Sequence, residues 1–387
     1  GERAPLNISL VIDRSGSMEG DKLKYVKQAV DFVIQNLTAV DYLSIVQYDD
    51  VIEVVSPSAA VKDKQALHKK VAAIFARNTT NLSGGMLEGY NQVRSTQRAG
   101  CVNRVLLLSD GLANAGITEP LQLQEIARRQ FREHGVGLST FGVGADFNEE
   151  LMTQLAEHGG ANYYFIETPE QIPQIFAREL SGLLSVVAQN TILQLDYSAK
   201  HLQFDKIYGY LAQTEAGKVR VNFNDVFSEE EKAIVVRFKV AQPFDYALDF
   251  DVQFGYDDVV ETLGKVEERQ RLQLMPTGSA SVYQSGIQRD AVENAVFFVA
   301  NDMFQQVMLQ SDARRFDAAK AQLEQAIGYL KAYVEMFPAS ERLNKQLADM
   351  QAYLQRLPDM ARMEREEFQV SQKMSKSDNY MRSKRKM

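Results

Sequence analysis

Asp13, Ser15 and Ser17 carry the first chemistry in the chain. The acid ends an apolar run, "NISLVID" (7–13), and the two hydroxyls follow at alternating positions in "RSGSMEG" (14–20). A second acid, Asp110, ends another apolar run, "NRVLLLSD" (103–110), and Thr80 stands in "RNTTNLSGG" (77–85). Two carboxylates and three hydroxyls are hard oxygen donors, with no His or Cys among them. Such a set suits Mg²⁺, with Mn²⁺ or Ca²⁺ as alternatives, better than zinc or copper. Two negative charges do not saturate a divalent cation, and Mg²⁺ then keeps waters or takes an outside carboxylate or phosphate.

Other chemistries fit the same residues less well. Either serine alone serves as a helix cap. The stretch "GSMEGDKL" has Gly16, Gly20 and Lys22, but its spacing is too short for a phosphate loop, and Asp21 and Leu23 stand where that motif needs other residues. A hydrolase elbow needs G-x-S-x-G, which neither Ser17 nor Ser83 satisfies. A haloacid-type phosphotransferase would need an acid where Ser15 stands. The four histidines, His68, His134, His158 and His201, have no ligand-spaced carboxylate or cysteine, and are assigned to surfaces and helix ends.

For the five donors to meet, strands and helices must alternate. Residues 1–188 do so: β-branched runs at 7–13, 42–49, 103–110, 137–144 and 162–167 are separated by helical patterns at 21–37, 63–75, 84–97, 120–134, 148–159 and 169–187. In 21–37, Leu23, Val26, Val30, Val33 and Leu37 form one stripe. The alternation predicts a mostly parallel sheet with helices on both faces. The run 51–55, after the acidic turn Asp49-Asp50, is expected as an antiparallel edge. Ligands of such sheets bind at the carboxyl ends of the strands, where Asp13 and Asp110 both arrive.

Asp13, Ser15 and Ser17 match the D-x-S-x-S motif of von Willebrand factor type A (VWA) domains, which the first half of the chain therefore resembles. Thr80 matches that family's second-loop threonine and Asp110 the aspartate of its third loop, here "LLSDG". The resemblance covers about 1–188 and implies a Rossmann-like α/β domain with a metal-ion-dependent adhesion site. Ser15, Ser17 and Thr80 would then coordinate the metal through hydroxyls, and Asp13 and Asp110 directly or through water. One position would stay open for an Asp or Glu of a protein partner. "APLNISLVIDRSGSMEGDKL", "VNRVLLLSDGLANAGIT" and "STFGVGADFNEELM" are also similar to bacterial relatives of inter-alpha-trypsin inhibitor heavy chains and calcium-activated chloride channel homologues. That group often has an N-terminal β segment; this sequence begins at the type A domain, and the segment is expected to be lost or truncated. The chain departs at Thr79, where the family often has Gly; this bears on loop flexibility and not on a ligand.

The remainder is expected as an all-β, sandwich-like module (189–278), an α-helical hairpin bundle (279–370) and a disordered basic tail (371–387). Within the bundle, 283–310 reads as one long helix and Pro358 as the end of another. No 34-residue repeat is present. The net charge of −8 disfavours nucleic acid as the main ligand. No apolar run is long enough for a transmembrane helix. A single cysteine, Cys101, excludes an intrachain disulfide and leans towards a cytoplasmic location, with an upstream export signal left open. The expectation is a non-enzymatic, divalent-cation-dependent binding protein, an adhesion or scaffold molecule. Two alternatives remain: a regulatory or assembly factor working with an AAA+ ATPase, and a metal-dependent phosphoryl-transfer or hydrolytic enzyme.

Overall fold

The computed structural model describes residues 3–223 and 225–384. They divide into two compact units. One holds residues 1–193, 222–230 and 254–268; the other holds 194–221, 231–253 and 269–387.

The first unit is built on six strands: β1 (Leu6–Asp13), β2 (Tyr42–Tyr48), β3 (Ile52–Ala60), β4 (Val102–Ser109), β5 (Gly137–Val143) and β6 (Tyr163–Ile166). Their order in the sheet is β3-β2-β1-β4-β5-β6. All neighbours run parallel except β3, which pairs antiparallel with β2 at the edge and is longer than its sequence run suggested. Strands β1, β4 and β5 are buried along their whole length, as expected of parallel strands covered on both faces.

Six helices supply the cover: α1 (Asp21–Asn36), α2 (Lys64–Ala72), α3 (Leu82–Ser95), α4 (Pro120–His134), α5 (Glu149–His158) and α6 (Ile172–Leu184). The predicted stripe of α1 is its buried face. Helix α3 lies close to the sheet because Gly89 has no side chain. A Cβ there would stand 2.5 Å from Val11 Cγ2 and 3.0 Å from Val105 Cγ1. Helix α6 is fastened by a buried polar network. Its Glu179 accepts from Tyr164 Oη at 2.6 Å and Asn162 Nδ2 at 2.7 Å, and also from the Ser139 hydroxyl. Arg104 completes the network, donating to Ser139 Oγ at 3.3 Å and pairing with the buried Asp225.

After α6 come β7 (Val186–Asp196), β8 (Leu202–Tyr208), β9 (Ala212–Glu215), β10 (Lys218–Phe223), β11 (Val226–Phe227), β12 (Val235–Val240), β13 (Leu248–Asp258) and β14 (Lys265–Leu274). One sheet has the order β14-β13-β7-β10-β9, with β11 on β7, and a second pairs β12 with β8. The expected strand-rich region is thus present, with antiparallel pairing in β9/β10, β7/β11 and β8/β12. In the second unit Phe238 of β12 meets Phe204 of β8, Tyr197 and Phe250 of β13, with ring centroids 4.7–6.4 Å apart.

The second unit ends in helices α7 (Ala280–Ser285), α8 (Arg289–Asp312), α9 (Phe316–Met336), α10 (Glu341–Met360) and α11 (Arg365–Ser383). Three expectations are corrected here. The single helix over 283–310 breaks at Gly286–Gln288, where glycine weakens the helix. Pro358 lies inside α10, in its last turn, where its missing N–H costs a single hydrogen bond. Residues 371–384 are not a disordered tail: they run through α11, and Arg385, Lys386 and Met387 lie outside the described residues. Charge count hid the packing of this helix. Phe368 and Met381 are buried, Gln372 accepts from Tyr353 Oη at 2.8 Å, and Asn301 and Asn379 exchange side chain–backbone bonds at 3.2 and 3.3 Å. The basic residues find acids: Arg382 pairs with Asp349 and Lys376 with Asp312.

Among the described residues no helix is long and apolar enough to cross a membrane.

Gly89→Ala tests the fit of α3. Helix propensity favours alanine by about 1 kcal/mol, but the overlap with Val11 and Val105 opposes it. The expected outcome is a net loss of about 1–2 kcal/mol in urea unfolding; a gain in stability would show that α3 is not seated this tightly.

Candidate metal centre

Strands β1 and β4 are neighbours in register, with Ile12 opposite Leu108, so Asp13 and Asp110 leave the same rim side by side. Asp13 has no exposed surface and Asp110 is 1% exposed. The chain turns sharply after Asp13. Its Oδ1 accepts the Ser15 amide at 2.8 Å, which folds the loop back over the acid, and Oδ2 accepts Ser109 Oγ at 2.9 Å. The Ser15 and Ser17 hydroxyls are 3.1 Å apart, and Ser17 Oγ donates to Asp110 Oδ1 at 2.7 Å. Four of the five expected donors are thus linked in sequence, Asp13 to Ser15 through the Ser15 amide and onward to Ser17 and Asp110 through hydroxyls.

The second loop is stapled to the first through its backbone. Arg77 N donates to Arg14 O at 2.8 Å, and Gly16 N to Asn78 O at 3.0 Å. Asn78 holds the left-handed conformation that this turn needs, with φ 56°. Thr80, 4% exposed, follows it. The third loop holds Thr80 in place: Asn114 accepts from Thr80 N at 3.1 Å and donates its own amide to Thr80 O at 3.3 Å. The Thr80 hydroxyl faces Gly111, where a Cβ would lie 3.7 Å away. Asn81 caps α3 through Gly84 N at 2.9 Å, which fixes the loop's exit. Beneath the rim, buried Tyr48 donates to Leu108 O at 2.9 Å. Burial, and next the charge of Asp13, hold its phenol well above the usual range.

Charge shows whether a hard cation suits these residues. Two carboxylates sit shielded on one rim, and among the described residues the one ammonium paired with them is Lys22 Nζ, 2.6 Å from Asp110 Oδ2. The Asp13 carboxyl is pushed up to about 6, chiefly by burial and further by the charge of Asp110, despite its bonds from Ser15 and Ser109. The rim is short of positive charge, and its remaining donors are hydroxyls that neither add charge nor repel a metal. Among the described residues no group of three or more His, Cys, Asp or Glu is placed to hold a metal, which leaves hydroxyl oxygens as the complement to the two acids. The donor chemistry fits a hard divalent cation.

The structure places Asp13, Ser15, Ser17 and Asp110 together on the rim, with Thr80 held beside them by Asn114, which the sequence assigns to shaping the third loop. Sequence reasoning missed Ser109, the second bond to Asp13, and Lys22, which it met only as part of a failed phosphate loop. It also gave His68 no acid, whereas that ring bonds Asp31 between α2 and α1, 37 residues away along the chain.

The chain resembles known proteins in sequence and in fold. Residues 7–178 match the family model of the von Willebrand factor type A domain. The uncharacterized protein YfbK of Escherichia coli is 30% identical over 206 residues, which is 53% of this chain and 36% of that protein. A human inter-alpha-trypsin inhibitor heavy chain is 27% identical over 209 residues, 49% of this chain and 23% of its own length. The chain therefore spans well under half the length of either relative. Among solved structures, a von Willebrand factor type A protein from Catenulispora acidiphila superposes with a TM-score of 0.68 at 16% identity, over 84% of this chain and 79% of its own. At that identity the likeness shows the fold.

The raised Asp13 carboxyl makes the metal-free protein sensitive to pH. A carboxyl with a higher pKa folded than unfolded favours the fold while protonated. Its contribution is complete below its unfolded value near 3.8 and is lost as pH rises through about 6. In EDTA, unfolding free energy should fall between pH 4 and 6 by on the order of 2 kcal/mol more than in Asp13→Asn. Denaturant titrations of both proteins across that range check this; parallel pH profiles would count against it.

Proposed function

We propose that this chain, whose residues 7–178 form a von Willebrand factor type A domain, captures a protein partner through a divalent cation held on the rim. Mg²⁺ is the cation favoured by the all-oxygen donor set. Ser15, Ser17 and Thr80 would present hydroxyls to it, and Asp13 and Asp110 would supply charge directly or through water. An Asp or Glu of the partner would complete the shell. The observation that carries this reading is the pair of shielded carboxylates strung together with two serine hydroxyls on one rim.

A protein partner is supported by what surrounds the donors. Phe75 precedes the second loop and is 59% exposed; Leu112 lies in the third loop and is 57% exposed. Val51, 49% exposed, lies in the turn whose Asp49 and Asp50 bond Asn81 and Asn78 of the second loop. Exposed apolar side chains around a charged centre are what a partner covers, and covering them removes water from the ion. The strands and helices after residue 188 would present this domain or recruit a second partner. Work alongside an AAA+ ATPase would use the same chemistry with a different partner.

Affinity capture tests the proposal, with wild type and Asp13→Ala each in Mg²⁺ and in EDTA. Proteins retained by wild type in Mg²⁺ and lost in the other three conditions are the expected result. Identical capture in all four conditions would sink the reading. Phosphatase or hydrolase turnover that vanishes in Asp13→Ala would assign the site to an enzyme instead.

A further inference from the structure

We infer that Lys22 is a tethered counter-ion of the rim, which holds Asp110 in the metal-free protein and competes with the incoming divalent cation. The inference rests on the reading of the rim as a cation site. Both oxygens of Asp110 are engaged: Ser17 Oγ donates to Oδ1 at 2.7 Å, and Lys22 Nζ to Oδ2 at 2.6 Å. The Asp110 side chain has no exposed surface and that of Lys22 only 26%, so water screens the pair weakly. Neighbouring cations are committed elsewhere. Arg14 pairs with Asp49 and Glu53, Arg77 with Asp49, and Lys24 with Asp21.

The position of Lys22 is a costly one. It is the second residue of α1, where a cation opposes the helix dipole. The chain reaches it through Gly20 at φ 85°, a conformation that L side chains rarely adopt. A Cβ there would meet nothing within 4 Å, so this glycine serves the backbone turn and not a tight fit. Helix electrostatics does not account for a lysine here, whereas its bond to Asp110 does. A divalent cation arriving at Asp110 meets an ammonium already in contact, and two cations this close in a shielded site repel strongly. Lys22 must give up Asp110 as the metal takes it. Cation affinity is then the difference between two ion pairs, and the metal-free rim stays partly neutralised without any bound ion.

Mn²⁺ is the probe, with binding measured by titration calorimetry and by loss of the free-ion electron paramagnetic resonance signal. Lys22→Met keeps the apolar stem and removes the charge. It should bind Mn²⁺ about tenfold more tightly than wild type, while Lys22→Arg stays near wild type. In EDTA, Lys22→Met should melt at a lower temperature than wild type and gain more on addition of Mn²⁺. Equal or weaker Mn²⁺ binding by Lys22→Met, with binding abolished in Asp13→Ala, would overturn the inference and leave the cation site standing. Mn²⁺ binding that survives Asp13→Ala unchanged would remove the cation site, and this inference with it.

Discussion

Two carboxylates share one shielded rim, and most of the local structure answers to that. Like charges held close and away from water raise each other's cost. The chain meets this with directed donors: the Ser15 amide and Ser109 hydroxyl on Asp13, and Ser17 with Lys22 on Asp110. These bonds explain why the first loop is tight. Ser15 can reach back to Asp13 only if the chain reverses at once, and that reversal aims both serine hydroxyls along the rim. The staples from Arg77 and Gly16 hold the second loop against the first, so Thr80 arrives on the same side.

The topology makes the meeting possible. From β1 the chain goes first to β2 and β3 on one side of the sheet, then crosses to β4, β5 and β6 on the other. Strands β1 and β4 therefore flank the point where the winding reverses, and the loops that leave them diverge and open a crevice. Both acids sit at that point. Full burial of β1 and β4 fixes their register, because a slip by one residue would exchange the side chains packed against the helices on the two covered faces. The position of the acids relative to each other thus follows from apolar packing, which is insensitive to whether a cation is present.

The same division of labour decides what the sequence discloses. Apolar periodicity is local, so the strands and helices of the first half, and the rim that Asp13 and Asp110 share, can be read directly. The five candidate residues are legible because they lie next to those strands and the caps of the helices that follow. Lys22 is illegible for the opposite reason: its bond to Asp110 spans 88 residues and follows no motif. The C-terminal helix shows a second limit. Residues 371–384 look like a solvated basic tail by composition, yet Gln372, Asn379 and Arg382 are buried by partners that no local pattern announces. The breaks at Gly286 and the run through Pro358 differ from expectation because a breaker's effect depends on how much helix remains beyond it.

Under the proposed function, a site with this charge balance would link its two ligands, the cation and the partner. A divalent cation added to two carboxylates neutralises them, and hydroxyls complete the shell without adding charge, so an outside carboxylate binds to a cation that is not over-neutralised. By thermodynamic reciprocity, whatever the cation adds to the partner's affinity the partner adds to the cation's. The rim alone supplies no choice among acidic partners, since one carboxylate resembles another. Choice falls to the loops, and to Val51, Phe75 and Leu112, whose exposed apolar side chains reward a partner shaped to cover them and leave other acids in contact with water. On the proposed function, the buried acids would call for a metal, and the surrounding loops would decide whose carboxylate is accepted.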